Sequence, residues 1–381
     1  NIVSPIAIFA NIVIVPLLFL VVSLGLTLIV FGWASFVLAN IFGQTTGLGL
    51  QILSNTAKLF SLMPFGYFRI SKPTALIFLF YYAVLFIVFN YKRLKFKEAN
   101  LIIILFLVFD IFIWKDVFKK PKQDLTVTLL DVGYGDCIFI EFPDRGTMLI
   151  DGGPASLDPE SEYDMGRYVV APFLWNRGVH HIDAVLATHA HNDHMGGLLY
   201  ILKNFKVNYA FDNGLRDEFG LYHVYETILE NNRIKQIILK KGQSINGFSD
   251  VKLYILNPSE EMRMDLNNTS LVIKLVYENV SILFCADVLE EGMKTLLLYG
   301  DFLNSDIVKI PHHASHIEKT GRLFFEKIKP KIGVISKGQR RLSKDVETLF
   351  LENCIKIYST SQDGAIMINS DGKDYDVKTV N

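Results

Sequence analysis

Apolar residues run almost unbroken through the first third of the chain, and alternation takes over afterwards. No charged residue precedes Lys58, and the run is dominated by Ile, Val, Leu and Phe. Such density predicts membrane helices, since about 20 apolar residues cross a bilayer. Residues 6–40 suit one tilted span plus a broken piece, or two short spans, because Pro16, Gly25 and Gly32 oppose a single straight helix. Residues 74–90 and 101–114 are further apolar runs, and the basic knot Lys92, Arg93, Lys95 and Lys97 between them suggests a helical hairpin. Residues 44–72 mix Gly, Pro and apolar positions with Lys58 and Arg69, which fits an interfacial or re-entrant segment better than a span. Asp110, inside the last apolar run, is a functional candidate or an interfacial residue.

From residue 125 the pattern is that of soluble protein. Residues 125–130, 137–142 and 147–150 read as three short strands joined by turns, the last ending in Asp151-Gly-Gly153. Residues 182–187 form another strand, which runs into Thr188-His-Ala-His-Asn-Asp-His194 and then Met195-Gly-Gly197 and a helix-like run. Four potential ligands fall within six residues. Two histidines two apart can converge on one ion, while Asp193 and His194 turn toward a second. Imidazole and carboxylate suit zinc, manganese or iron. Two later strands end the same way: residues 280–285 lead to Asp287, and residues 307–310 lead to Pro311-His-His-Ala-Ser-His316. A strand-end aspartate or a loop histidine pair is often only a turn former or a solvated surface. Three such clusters, each after a strand, point to one metal site.

Composition adds little. The 381 residues leave room for two or three domains, and a net charge of -1 neither favours nor excludes a polyanionic partner. Cys137, Cys285 and Cys354 are odd in number and far apart, which predicts buried free thiols rather than disulfides. The chain opens with Asn1 and no basic leader, so its start is expected to be the interior of something longer. The aromatic and basic residues at 203–209 and the basic run 235–241 could line a nucleic-acid groove or be solvated faces.

The His-x-His-x-Asp-His loop at His189 to His194 resembles the metallo-β-lactamase fold. Asp131-Val-Gly-Tyr-Gly-Asp136, Leu149-Ile-Asp-Gly-Gly153, Asp193-His-Met-Gly-Gly197 and Pro311-His-His-Ala-Ser315 look like the C-terminal domain of ComEC-type competence proteins, inner-membrane channels for DNA uptake. Residues 1–18 resemble the closing helices of that family's membrane domain. The resemblance implies membrane helices over residues 1–120 and an α/β hydrolase domain over 121–381, a four-layer αββα sandwich. It implies two divalent metal ions, zinc or manganese: His189 and His191 on one, Asp193, His194 and His313 on the other, and Asp287 bridging. Asp193, Asp287 and His312 are the expected catalytic residues, His312 contacting the phosphate, with Asn267 and Asn268 at the rim.

The implied reaction is phosphodiester hydrolysis on DNA, one strand being degraded as the other enters. The implied partners are DNA, the lipid bilayer and other competence-machinery proteins. The implied location is the bacterial inner membrane, multi-pass, with the hydrolase domain on the outer face; Lys115, Lys119, Lys120 and Lys122 compete with that orientation. Relatives usually carry Gln at Tyr134, and Gly at Ala286 and Ala314. A histidine followed by Pro is usual downstream of 336–338, where Gln339, Arg340 and Arg341 stand. The alternatives are a membrane-anchored phosphodiesterase acting on a small or wall-linked phosphoester, and a non-catalytic channel or DNA-binding domain.

Overall fold

The computed structural model describes residues 2–63, 66, 68–69, 75–90, 93, 106–107, 124–158, 161–217, 220–258, 265–315, 319–338, 342 and 344–380. The basic knot at Lys92, Lys95 and Lys97, the position of Asp110, the lysines of 115–122, His316, Arg340 and Arg341 lie outside the described residues. The chain divides into two units, Asn1–Asn90 with Trp175–Gly178, and Tyr91–Leu174 with Val179–Asn381.

In the first unit β1 (Ile2–Val3) pairs antiparallel with β2 (Phe68–Arg69). Helices α1 (Ile6–Phe31) and α2 (Phe36–Ser61) are each 26 residues long and apolar enough to cross a bilayer. A third helix, α3 (Ala75–Asn90), has 16 residues. Two expectations change here. First, α1 continues through Pro16 and Gly25, because a proline removes one hydrogen bond while the remaining backbone groups, shielded from water, stay paired in the helix. Second, the stretch from residue 44 to 61 is continuous helix rather than a re-entrant segment. Three polar side chains at its start bond within the helix: Thr45 and Thr46 hydroxyls donate to the Ile41 and Phe42 carbonyls at 2.7 Å, and Gln44 donates to Asn40 at 3.0 Å. Small residues let α1 and α2 approach, since a Cβ on Gly49 would lie 2.9 Å from Val21 Cγ2.

The second unit holds two sheets. The strands are β3 (Leu125–Leu129), β4 (Ile138–Glu141), β5 (Thr147–Ile150), β6 (His181–Leu186), β7 (Lys206–Asp212), β8 (Lys235–Ile238), β9 (Ser244–Ile245), β10 (Val251–Asn257), β11 (Val272–Tyr277), β12 (Val280–Phe284), β13 (Ile307–Lys309), β14 (Ile332–Ile335), β15 (Lys356–Ser359), β16 (Ala365–Ser370) and β17 (Tyr375–Val380). One sheet has eight strands in the order β17-β16-β3-β4-β5-β6-β7-β8, and the other seven in the order β15-β14-β13-β12-β11-β10-β9. The strands read from the sequence recur within a residue or two. Alternating apolar residues of both sheets, among them Val127, Ile140, Ile150, Leu253, Leu275 and Ile282, form one shared core. Helices Glu290–Leu297, Lys319–Ile328 and Lys344–Glu352 contribute to a second cluster with the outer side of the seven-stranded sheet. Leu198–Asn204 and Leu221–Asn231 are the crossovers of the parallel β6-β7-β8 run. Helix, sheet, sheet and helix thus stack as layers around that core. Cys137 and Cys285 are buried free thiols as expected, whereas Cys354 is exposed, because it sits on a turn and not in a strand.

Parallel pairing sets the site. In β5-β6 and in β12-β13-β14 the strands run the same way, so their C-terminal ends share an edge. The two sheets are tied there by the Leu271 N–H, which donates to the Thr188 carbonyl at 2.9 Å. Leu253 is fully buried between the sheets, and Leu253→Ala is expected to cost about 2–5 kcal/mol. Urea unfolding of the chain in detergent checks it, and a loss below about 1 kcal/mol would contradict a shared core.

Candidate metal centre

Five strand ends deliver the site. The loop after β6 carries His189, His191, Asp193 and His194, the turn after β12 carries Asp287, and the turn after β13 carries His312 and His313. The ends of β5 and β14 supply Asp151 and Ser336 behind them. Close backbone approach makes this possible. A Cβ on Gly152 would lie 2.5 Å from Leu198 N, and one on Gly197 would lie 2.0 Å from the Gly152 carbonyl. The Gly152 N–H donates to the His194 carbonyl at 2.7 Å, which anchors that residue to β5.

Four ligand atoms converge: those of Asp193, His194, Asp287 and His313 all lie within 4.8 Å of one another. His194 Nε2 is 3.3 Å and His313 Nε2 3.4 Å from Asp287 Oδ2, while Asp193 Oδ2 is 3.9 and 3.7 Å from the same two nitrogens. Donors about 2.0–2.1 Å from a tetrahedral ion stand roughly 3.4 Å apart, so the spacing fits a divalent metal. The ring orientation fits as well. His313 Nδ1 donates to the Ser336 carbonyl at 2.6 Å, and His194 Nδ1 pairs with Asp151 Oδ2 at 2.7 Å. Asp151 is itself held by the Thr188 N–H at 2.8 Å and hydroxyl at 2.7 Å. Both Nε2 atoms are left buried without a hydrogen-bond partner, which is what an ion-binding donor set looks like when its outer atoms are fixed first.

His189 and His191 form a pair instead, with His189 Nε2 3.0 Å from His191 Nδ1. The His189 ring lies 4.2 Å from that of His194, tilted by 49°, so the pair borders the four-donor group. Among the described residues no third His, Cys, Asp or Glu joins the two within that spacing. His312 is a quarter exposed, with Nε2 4.0 Å from Asp287 Oδ2, and lies at the open side. Asn268 is not at the rim: its Oδ1 accepts from Leu289 N–H at 3.2 Å and Gly292 N–H at 2.9 Å, because it caps the helix following Asp287.

Three residues escape a reading of the sequence. Asp151 sits in what passes for a tight turn, Asp136 ends a glycine-rich loop, and Lys309 is a charged residue within an apolar strand. Lys309 is 1 % exposed and ion-paired with Asp136. A charge inside the run Ile307-Val-Lys-Ile310, directly before two histidines, is the signal that could have drawn notice.

The charges are strongly coupled. Burial works against ionised Asp287, yet His194 and His313 hold its carboxyl well below the usual range. Burial likewise opposes ionised Asp193, and the nearby imidazoles of His313 and His194 hold it low. Burial would strip the proton from His313, but Asp287 and Asp193 push it up to about 9. His189, desolvated and beside His194, is held well below its ordinary value.

The family model described as the metallo-beta-lactamase superfamily matches residues 130–336, more than half of the 381. The chain belongs to the metallo-beta-lactamase superfamily, and its fold is that of a metal-dependent hydrolase. A model described as competence protein matches residues 1–95, so the chain joins a competence-type segment to this domain. It is similar to ComE operon protein 3 of Bacillus subtilis (strain 168), 28 % identical over 267 residues, covering 66 % of this chain and 34 % of that protein. It is also similar to Competence protein ComA of Neisseria gonorrhoeae, 25 % identical over 251 residues, covering 65 % and 32 %. The match thus spans about a third of the length of these ComEC-type relatives. Among solved structures, Igni18, a metallo hydrolase from Ignicoccus hospitalis KIN4/I, matches at 14 % identity and a TM-score of 0.41, over 64 % of this chain and 98 % of that one.

Two outcomes follow for this centre. A Cβ on Gly135, whose φ is +98°, would lie 1.8 Å from the Asp193 carbonyl. Gly135→Ala is therefore expected to weaken manganese or zinc binding by about 10–100-fold while the sheets persist, as titration and circular dichroism would reveal; unchanged affinity would refute the link. His313 carries its proton below about 9 in the metal-free fold, against 6.5 ordinarily. The stabilisation from that proton is complete below about 6.5 and lost as pH rises through about 9, and the metal takes the proton's place on Nε2. Metal affinity is expected to climb across this window with release of protons, and a pH-independent affinity by calorimetry would contradict it.

Proposed function

We propose that the chain is the C-terminal part of a DNA-uptake protein of the bacterial cell membrane, and that its domain from about residue 121 onward, on the outer face, hydrolyses phosphodiesters of one DNA strand. The observation that carries this reading is the four-donor group of Asp193, His194, Asp287 and His313, with both Nε2 atoms turned inward and without partners. The competence-type segment at residues 1–95 and the two helices long enough to cross a bilayer support the membrane and DNA parts of it.

Asp193, His194, Asp287 and His313 would hold one divalent ion, zinc or manganese. His189 and His191 would hold a second. When bound, such ions supply Lewis acidity and positive charge for displacement at phosphorus. The protein's own groups do the rest. Asp151 and Ser336 fix the tautomers of His194 and His313. His312, on the open side, contacts the phosphate. Lipid and the rest of the competence machinery are the other partners of this reading.

The test uses the chain in detergent or nanodiscs with labelled single-stranded DNA, duplex DNA and a small phosphodiester, with manganese, zinc or chelator. Metal-dependent DNA cleavage that falls by at least about 100-fold in Asp193→Ala is expected, each tenfold corresponding to about 1.4 kcal/mol of barrier. Hydrolysis of the small ester alone would replace the substrate. A metal-loaded chain that cleaves nothing would leave a binding domain and end the nuclease reading.

A further inference from the structure

Lys309 ends β13, three residues before His312, and its neighbours in the chain, Ile307, Val308 and Ile310, are wholly buried and apolar. Burying an ammonium costs several kcal/mol unless its charge and hydrogen bonds are met. Here they are met from three directions. Nζ ion-pairs with Asp136, stands 3.7 Å from Asp287 Oδ1, and donates to the Ala286 carbonyl at 3.0 Å. That same carbonyl accepts the His312 N–H at 3.0 Å, and Ala286 holds a left-handed φ of +46°. One ammonium therefore joins the loop after β3, the turn after β12 and the start of the His312-His313 turn. None of these contacts uses the atoms that converge on the ion, namely Asp193 Oδ2, His194 Nε2, Asp287 Oδ2 and His313 Nε2.

We propose that Lys309 is a positioning residue that acts as a resident cation: it keeps the loops of the centre assembled when no metal is bound and turns Asp287 so that Oδ2 faces the other donors. With an apolar residue there, Asp136 and Asp287 would face each other across a dry site with no permanent positive charge between them. Assembly of the loops would then wait for the metal, as in domains whose folding is coupled to metal binding. Lys309 removes that dependence. The two carboxylates are also divided by it. Asp136, paired with Lys309, belongs to the scaffold, and Asp287 is free on one oxygen for the ion.

The test is hydrogen exchange of the full chain in detergent, with chelator, manganese or zinc, followed over residues 285–289 and 310–315. Lys309→Met is compared with the double variant Asp136→Asn, Lys309→Met, which leaves no unpaired carboxylate at 136. In the unaltered chain, chelation is expected to change exchange in these segments by less than about threefold. In both variants it is expected to rise by about tenfold or more with chelator and to return toward the unaltered chain with metal. Exchange raised equally with and without metal would make Lys309 ordinary core filling and overturn the proposal. So would a double variant that behaves like the unaltered chain in chelator, or failure of both variants to fold even with metal. Loss of DNA cleavage is not the readout, so the proposal stands or falls apart from the nuclease reading.

Discussion

Everything in the hydrolase domain answers to one constraint, which is that several carboxylates share a nearly dry site. Asp136, Asp151 and Asp287 are each at least 96 % buried in their side chains, alongside the fully buried His194. An uncompensated charge in such surroundings costs several kcal/mol, and several together would open the fold. Each therefore has a specific partner. Asp151 is taken up by Thr188 and His194, Asp136 by Lys309, and Asp287 by His194 and His313. The only carboxylate of the group with substantial exposure is Asp193, at 33 %. Compensation reaches from the outer atoms inward, and the Nε2 atoms of His194 and His313 are left without hydrogen-bond partners among the converging donors.

Backbone geometry meets the same demand at some cost. Ala286, His312, His313 and Ala314 all have φ between +45° and +62°, a region that side chains other than glycine's enter only at a cost of order 1–3 kcal/mol each. Two of the four are alanines where the resembling family has glycine, and this explains why glycine is usual there. The chain tolerates alanine because the turn is pinned from both ends, by the His312 N–H on the Ala286 carbonyl and by His313 on Ser336. The strain buys direction: it points two successive imidazoles to different places, His313 inward and His312 to the open side.

Much of this was legible in the residues. Strand alternation located β3 to β6, β12 and β13, and the three clusters at strand ends held Asp193, His194, Asp287 and His313, which meet in space. What stayed hidden was whatever depends on partners distant in sequence. Asp151 reads as a turn residue until Thr188 and His194 are beside it, 37 and 43 positions on. Lys309 reads as an anomaly in a strand until Asp136 comes to it across the other sheet. The continuous helix over residues 44–61 was missed for the opposite reason, since Gln44, Thr45 and Thr46 are satisfied locally, by carbonyls or side chains one turn back. Asn268 was misassigned because an amide's capping partners, Leu289 and Gly292, lie 21 and 24 residues downstream.

The departure at residues 339–344 can now be weighed against the donors. His313 is oriented by the carbonyl of Ser336, a main-chain group that any residue supplies. The ring of Tyr134 lies 5.8 Å from the His313 ring, and Gly338 closes on its edge, where a Cβ would come 3.2 Å from Tyr134 Cδ2. Tyr134 is 45 % exposed and flanked by Gly133 and Gly135, whose φ angles of +76° and +98° set the loop that presents it. Of the departures, Tyr134 is an exposed neighbour of His313, whereas Ala286 and Ala314 are buried in the turns that carry Asp287 and His313. The two imidazole donors rest on the Ser336 carbonyl and the buried Asp151 carboxylate, neither of which is among those departures. A site built this way can alter what it accepts without disturbing how it is held together.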